Sequence, residues 1–167
     1  MEFSEVLFKR RSIRKYEDRD VSEDKMKKLI RAGKSAPSAN NKQPWHFVVI
    51  RSEETRRKIM DIHPYSSMLA EAPAAISVCG NIDKSESYWV QDCSAATQNI
   101  LLMAENLGLG AVWLGLHPRR ERREEVADML DLPENIRPLN IIAVGHPAES
   151  SHRVDRYDPD KVHYENW

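Results

Sequence analysis

The stretch APSANNKQPWHFVVI, residues 36–50, changes character at its middle, and that change organises the chain. Its first half is polar and bounded by Pro37 and Pro44. Its second half is aromatic and β-branched, with Phe47, Val48, Val49 and Ile50 in a row. An apolar row without polar alternation reads as a buried strand, Trp45–Arg51. The polar half, Ser35–Pro44, reads as the loop that leads into it.

Outward from this point, helical and extended patterns alternate. Met1–Arg10 reads as a short helix with Phe3, Val6 and Leu7 on one stripe. Ser22 is placed to cap a second helix, with Glu23 and Asp24 in its first turn and Met26, Leu29, Ile30 and Gly33 at helical spacing. That helix stops ahead of Pro37. Ser52 caps a third, running to Ile62, and Ala74–Gly80 is a second buried strand. Tyr88–Leu107 is the longest helix; its small residues, among them Ser94, Ala95, Ala96, Thr97 and Ala104, mark it as central. Gly108 stands where a helix-ending glycine belongs. A strand at Gly110–Gly115, a charged helix at Arg119–Leu130 and a strand at Leu139–Gly145 follow. The tail, Ser151–Trp167, is polar with late aromatics and needs a surface to dock on. Strands separated by helices imply a layered α/β or α+β domain, without fixing strand order or direction.

The 167 residues suit one domain, and 41% hydrophobic residues are enough for a core. Net charge is −1, which argues against a generic nucleic-acid binder. Cys79 and Cys93 form no metal-ligand or CxxC spacing, so reduced thiols in a cytoplasm are expected. The N-terminus lacks the apolar stretch of a signal peptide, and no apolar run approaches a membrane span. The six histidines have no metal-site spacing, and neither a GxSxG elbow nor a P-loop is present. Gly108-Leu-Gly110 follows a helix and lacks a third glycine, so it reads as a helix stop rather than a dinucleotide fingerprint.

One segment stands out against the balanced charge. KRRSIRKY, residues 9–16, holds five basic side chains in eight positions. Arg10, Arg11 and Arg14 surround Ser12, a pattern suited to gripping phosphate, since arginine forks bind it bidentately. Alone, the segment reads first as a solvated face, since most surface charge does nothing specific. The loop with Ser38, Asn40, Asn41 and Gln43 offers donors and acceptors for the amide edge of a heterocycle, or is an ordinary turn.

Together, KRRSIRKY and APSANNKQPWHFVVI resemble the nitroreductase family of flavin enzymes. APAAISVCG, DCSAATQNILLMAENLGLGAVWLG, IIAVGHPAE and the tail RVDRYDPDKVHYENW are similar to its later blocks, in the same order. The resemblance implies an α+β, three-layer fold: a mainly antiparallel central sheet flanked by helices, in an intertwined homodimer, with residues 1–167 as one FMN-binding domain. It implies FMN held non-covalently at the dimer interface. Arg10, Arg11, Ser12 and Arg14 match the flavin-contacting opening segment, with Arg10 at the phosphate and Arg14 at the pyrimidine edge. Pro37, Ser38, Ala39 and Asn41 match the loop that reaches the flavin from the partner subunit. Trp113, Leu114, Gly115 and Leu116 match the stretch beside the ring, where the Gly115 N–H would face N5. Arg156, helped by Arg153, matches the C-terminal phosphate cation.

The implied activity is transfer of hydride from NAD(P)H to flavin N5 and then to a small planar acceptor, a nitroaromatic or quinone, in ping-pong order. No catalytic side chain and no metal is expected, and neither nucleic acid nor membrane is an expected partner. Two departures separate this chain from larger relatives. Trp113-Leu-Gly-Leu116 stands where many of those carry Pro-x-Glu-Gly, and the span Asn81–Tyr88 is brief, which implies a more open pocket. Two other readings stay open: different chemistry on the same fold (reductive dehalogenation or flavin fragmentation), and a non-catalytic module with a basic arm.

Overall fold

The computed structural model describes residues 2–150 and 155–167. Five helices and four strands follow one another as α1 (Phe3–Lys9), α2 (Glu23–Lys34), β1 (Trp45–Ile50), α3 (Glu53–Ile62), β2 (Ala74–Asn81), α4 (Trp89–Asn106), β3 (Gly110–Gly115), α5 (Arg120–Met129) and β4 (Ile136–Gly145). Capping chemistry sets the helix starts. Ser22 accepts a hydrogen bond from the Lys25 N–H and Ser52 one from the Thr55 N–H, each relieving an orphan donor. Gly108, at φ +67°, ends α4 in the left-handed conformation that a residue with a Cβ resists.

The strands lie in the order β1-β2-β4-β3, and every neighbouring pair is antiparallel. β2 is buried from Ala74 to Gly80, because helices cover both faces of the sheet. On one face lies a core of Met26, Leu29, Ile76, Val78, Cys93, Ala96, Ile100 and Ile142, built by α2 and α4. On the other, Ile59, Leu69, Ala75, Leu114, Val126 and Ile141 pack beneath α3 and α5. The result is three layers, helix–sheet–helix, as the resemblance implied.

β4 begins three residues earlier than its apolar run, at Ile136. Pro138 lies in the added part, where β4 has outrun β3 and pairs only with β2. A missing N–H costs little on such a one-sided stretch. The β2–β4 register slips beside it, between Val78 and Cys79.

The basic segment after α1 lies against the β3 edge. Ser12 makes an isolated parallel bridge to Ala111, with the Ile13 N–H donating to the Ala111 carbonyl at 3.0 Å. Further on, Tyr16 pairs with Pro147, and its buried hydroxyl donates to the Ile13 carbonyl at 2.7 Å. Close packing is possible because the sheet presents glycines there. A Cβ on Gly110 would fall 2.6 Å from Ile13, and one on Gly145 2.8 Å from Tyr16.

Candidate cofactor site

Both ends of the described chain meet at one cleft. About 500 Å³ in volume, it is lined by Leu7, Phe8, Arg10, Arg11, Asp155, Arg156 and Tyr157. Arg10 follows directly on α1, where the short helix ends. Its pKa is lowered, first by burial and then by the positive charges of Arg11 and Arg156, with Glu105 acting in the opposite sense. Arg11 turns back to donate to the Arg10 and Phe8 carbonyls at 2.7 and 3.1 Å. Arg10 thus lies within the repulsive reach of two like charges in a cleft that also holds Asp155, an arrangement that an added anion would offset. Arg153 lies outside the described residues.

From this cleft the β3 edge leads away. In an antiparallel strand, backbone groups alternate between the partner and the outside. The Ala111 carbonyl points outward to Ile13, so Trp113 and Gly115 also turn their N–H and C=O groups off the sheet. From Ala111 to Gly115 the edge covers about 13 Å. Gly115 has open space on its Cβ side: the nearest atoms would be the His117 carbonyl at 3.8 Å and the Trp113 indole nitrogen at 4.0 Å. Among the described residues, then, no contact requires glycine there. Leu114 and Leu116 are core residues, so neither side chain reaches this edge; Trp113 is partly exposed.

Arg14 has an exposed side chain and a fastened backbone. Glu149 Oε1 accepts the N–H of Arg14 at 2.6 Å and that of Lys15 at 3.3 Å. Ser12, likewise exposed, belongs to the same extended segment.

Pro37, Ser38, Ala39 and Asn41 are elsewhere. Their loop leads into β1, at the opposite edge of the sheet from β3. It is tightly built: Asn40, Asn41 and Gln43 have φ of 51°, 53° and 47°. Ser38 Oγ accepts the Gln43 N–H, and Gln43 Nε2 donates to Asn41 Oδ1. Asp92, buried in the first turn of α4, accepts the Ala39 N–H at 2.9 Å and the Ser85 hydroxyl at 3.2 Å. The basic segment lies near the other end of that helix, where Lys9 approaches Glu105. Asp92 and Glu105 are about 20 Å apart along α4. One chain thus brings Arg10, Arg11 and Arg156 together and keeps the asparagine loop away from them.

Sequence reading passed over Asp92, Glu149 and His63. Asp92 left a signal, the one acid in the first turn of a helix rich in small and apolar residues. His63 left none; its Nε2 lies 3.0 Å from the Gly115 carbonyl, a contact between distant segments. Among the described residues no group of three or more His, Cys, Asp or Glu could hold a metal ion, and no helix is long and apolar enough to cross a membrane. Burial pushes the thiols up, Cys79 to about 11 and Cys93 to about 12, so neither is a nucleophile at neutral pH.

Known proteins share this architecture. The sequence profile of the Nitroreductase family matches residues 7–63 and 60–146. A Methanothermobacter thermautotrophicus protein called "Putative NADH dehydrogenase/NAD(P)H nitroreductase" is 46% identical over 169 residues, covering 100% of this chain and 88% of its own. A crystal structure of a Parabacteroides distasonis protein of the same name superposes with a TM-score of 0.97 at 42% identity, over 99% of this chain and 98% of that one. An FMN-dependent nitroreductase of Clostridium difficile superposes with a TM-score of 0.91 at 30% identity, over 97% and 98% of the two chains. With its profile spanning most of the sequence and its architecture shared along the whole length, the chain belongs to the nitroreductase family.

Proposed function

We propose that this chain is an FMN-dependent oxidoreductase that draws on NAD(P)H and serves a planar acceptor, a nitroaromatic or a quinone. In this reading residues 1–167 form one FMN-binding domain, active as a homodimer. The observation that carries it is the meeting of Arg10, Arg11 and Arg156 from opposite ends of the chain around one cleft.

The residues fit the cofactor. A phosphomonoester carries about two negative charges near neutral pH, which suits a guanidinium trio whose own charges repel. The open space beside Gly115 and the outward edge of β3 suit a flat ring that needs a backbone donor. When bound, FMN would supply the redox chemistry, accepting hydride from NAD(P)H and passing electrons on to the acceptor.

The chain's own part is binding and electrostatics. Arg10, Arg11 and Arg156, with Arg153 as a further cation, hold the phosphate, and the Ser12 hydroxyl adds a donor. Arg14, its backbone pinned by Glu149, offers positive charge at the pyrimidine edge and favours the reduced cofactor. The Gly115 N–H faces the ring edge, with Trp113, Leu114 and Leu116 shaping the strand that carries it. Pro37, Ser38, Ala39 and Asn41 lie too far away within one protomer, so they act on the cofactor of a second copy. Phe3, Leu7, Phe8, Tyr157, Tyr164 and Trp167 are exposed apolar surface that this copy covers.

Purification tests the reading. The protein is expected to be yellow, to elute as a dimer and to bleach on anaerobic addition of NADH or NADPH, with colour returning on addition of a quinone. Colourless protein that takes up no added FMN ends it. Bound flavin that NAD(P)H leaves oxidised keeps the cofactor and removes the donor.

A further inference from the structure

Gly115 ends the edge strand β3, and a terminal glycine on an open edge has little to hold its dihedrals. One side chain does hold it. His63 is 4% exposed, at the C-terminus of α3, on the far side of the sheet from α4. Its Nδ1 accepts the Tyr65 N–H at 3.2 Å, and its Nε2 lies 3.0 Å from the Gly115 carbonyl. A ring nitrogen that accepts from a backbone N–H is unprotonated, so in the neutral ring Nε2 bears the hydrogen and donates to Gly115. Burial and the neighbouring Arg122 charge lower the His63 pKa, with the bond to Gly115 acting in the opposite sense. Both ring nitrogens are then used, one on the turn after α3 and one on the strand end.

We infer that His63 is a positioning residue: by holding the Gly115 carbonyl it fixes the outward orientation of the Gly115 N–H and so tunes the redox centre without touching it. The inference rests on the proposed function, because it supposes a flavin beside Gly115. The carbonyl and N–H of this residue leave the same strand edge, so anchoring one directs the other. A nearby cation would not replace this role, which depends on direction and not on charge.

The test compares His63→Gln, whose amide nitrogen can take the place of Nε2, with His63→Leu, which has no donor. For the FMN-loaded dimers, midpoint potential and anaerobic NAD(P)H reduction rate are read together with Tm. His63→Leu is expected to lower the potential and to slow reduction by about tenfold, the equivalent of one lost hydrogen bond of roughly 1.4 kcal/mol. His63→Gln is expected to stay within about twofold of wild type. A leucine variant with wild-type potential and rate overturns the inference, as does a glutamine variant as slow as leucine at equal Tm. If neither variant folds, the wild-type protein decides through the ¹⁵N shifts of His63. A protonated Nε2 and bare Nδ1 support the inference, and the reverse tautomer removes it. Wild-type protein that binds no FMN removes the proposed function as well, which distinguishes that failure from this one.

Discussion

Arg56 and Arg10 are both drawn out of water, and in both burial is the first cause of a lowered pKa. The resemblance ends there. Arg56, 7% exposed on α3, is surrounded by acceptors: Nε donates to the Leu69 carbonyl, and Nη1 to those of Arg51 and Pro73. Around it Glu53 and Asp20 oppose the pKa shift and Arg57 adds to it, so its charged neighbours are mixed. Arg10 is crowded by Arg11 and Arg156, so its neighbours deepen the shift. A buried cation satisfied by its own chain is a staple. A cation crowded by two of its own kind, with Glu105 as a partial counter-charge, is a socket that an added anion would suit.

The largest expected effect tests the staple. Arg56→Met leaves three carbonyls without their donor and should cost about 3 kcal/mol, lowering Tm by roughly 10 °C. FMN affinity of the folded fraction should be unchanged; a large loss of affinity would blur the distinction between the two arginines. Arg156→Ala tests the socket. Loss of a charge-assisted phosphate bond of about 2 kcal/mol should weaken FMN binding roughly thirtyfold. Tm of the cofactor-free protein should hold or rise, because a like-charge contact has gone. Inorganic phosphate should stabilise cofactor-free wild type and do less for this variant, a difference that thermal melts in phosphate and in a neutral buffer would measure.

A smaller effect belongs to Asp92, which is a staple of a different kind. Asp92→Ala frees the Ala39 N–H and the Ser85 hydroxyl and should cost about 1 kcal/mol, near 3 °C in Tm. It should also loosen the asparagine loop, so hydrogen exchange at Ala39 would speed up while exchange at Arg14 stays unchanged. The smallest effect lies on the surface of α3. The Glu53 carboxyl is held below its ordinary pKa by the hydrogen bond from Arg57. Its contribution is therefore present above the unfolded pKa and fades as pH falls through the folded one. Glu53→Gln should leave Tm at neutral pH almost unmoved and flatten only the acid limb of a Tm-against-pH curve.

How much of this was legible in the sequence follows from how local each signal is. Caps at Ser22 and Ser52, the apolar rows of β1 and β2 and the stop at Gly108 depend on neighbours in the chain, and each element formed where its pattern placed it. The start of β4 escaped because Ile136-Arg137-Pro138 carries no apolar row, and a proline is tolerated there only because β3 has already ended. The three basic positions were visible as charge, but their meeting depends on a tail that returns from the far end of the chain. His63, Asp92 and Glu149 were hidden for the same reason. Each acts on backbone groups in another segment, 52, 53 and 135 residues away, and no periodicity records such a contact.

The outward rim of β3 has a consequence for making the protein. Ser12 and Ile13 cover its beginning, while Trp113 turns both backbone groups outward and Gly115 its N–H, the Gly115 carbonyl being held by His63. An uncovered strand edge is adhesive toward any other strand. Cells starved of riboflavin should therefore yield this polypeptide largely as inclusion bodies, and feeding the vitamin during synthesis should move it into the clarified extract.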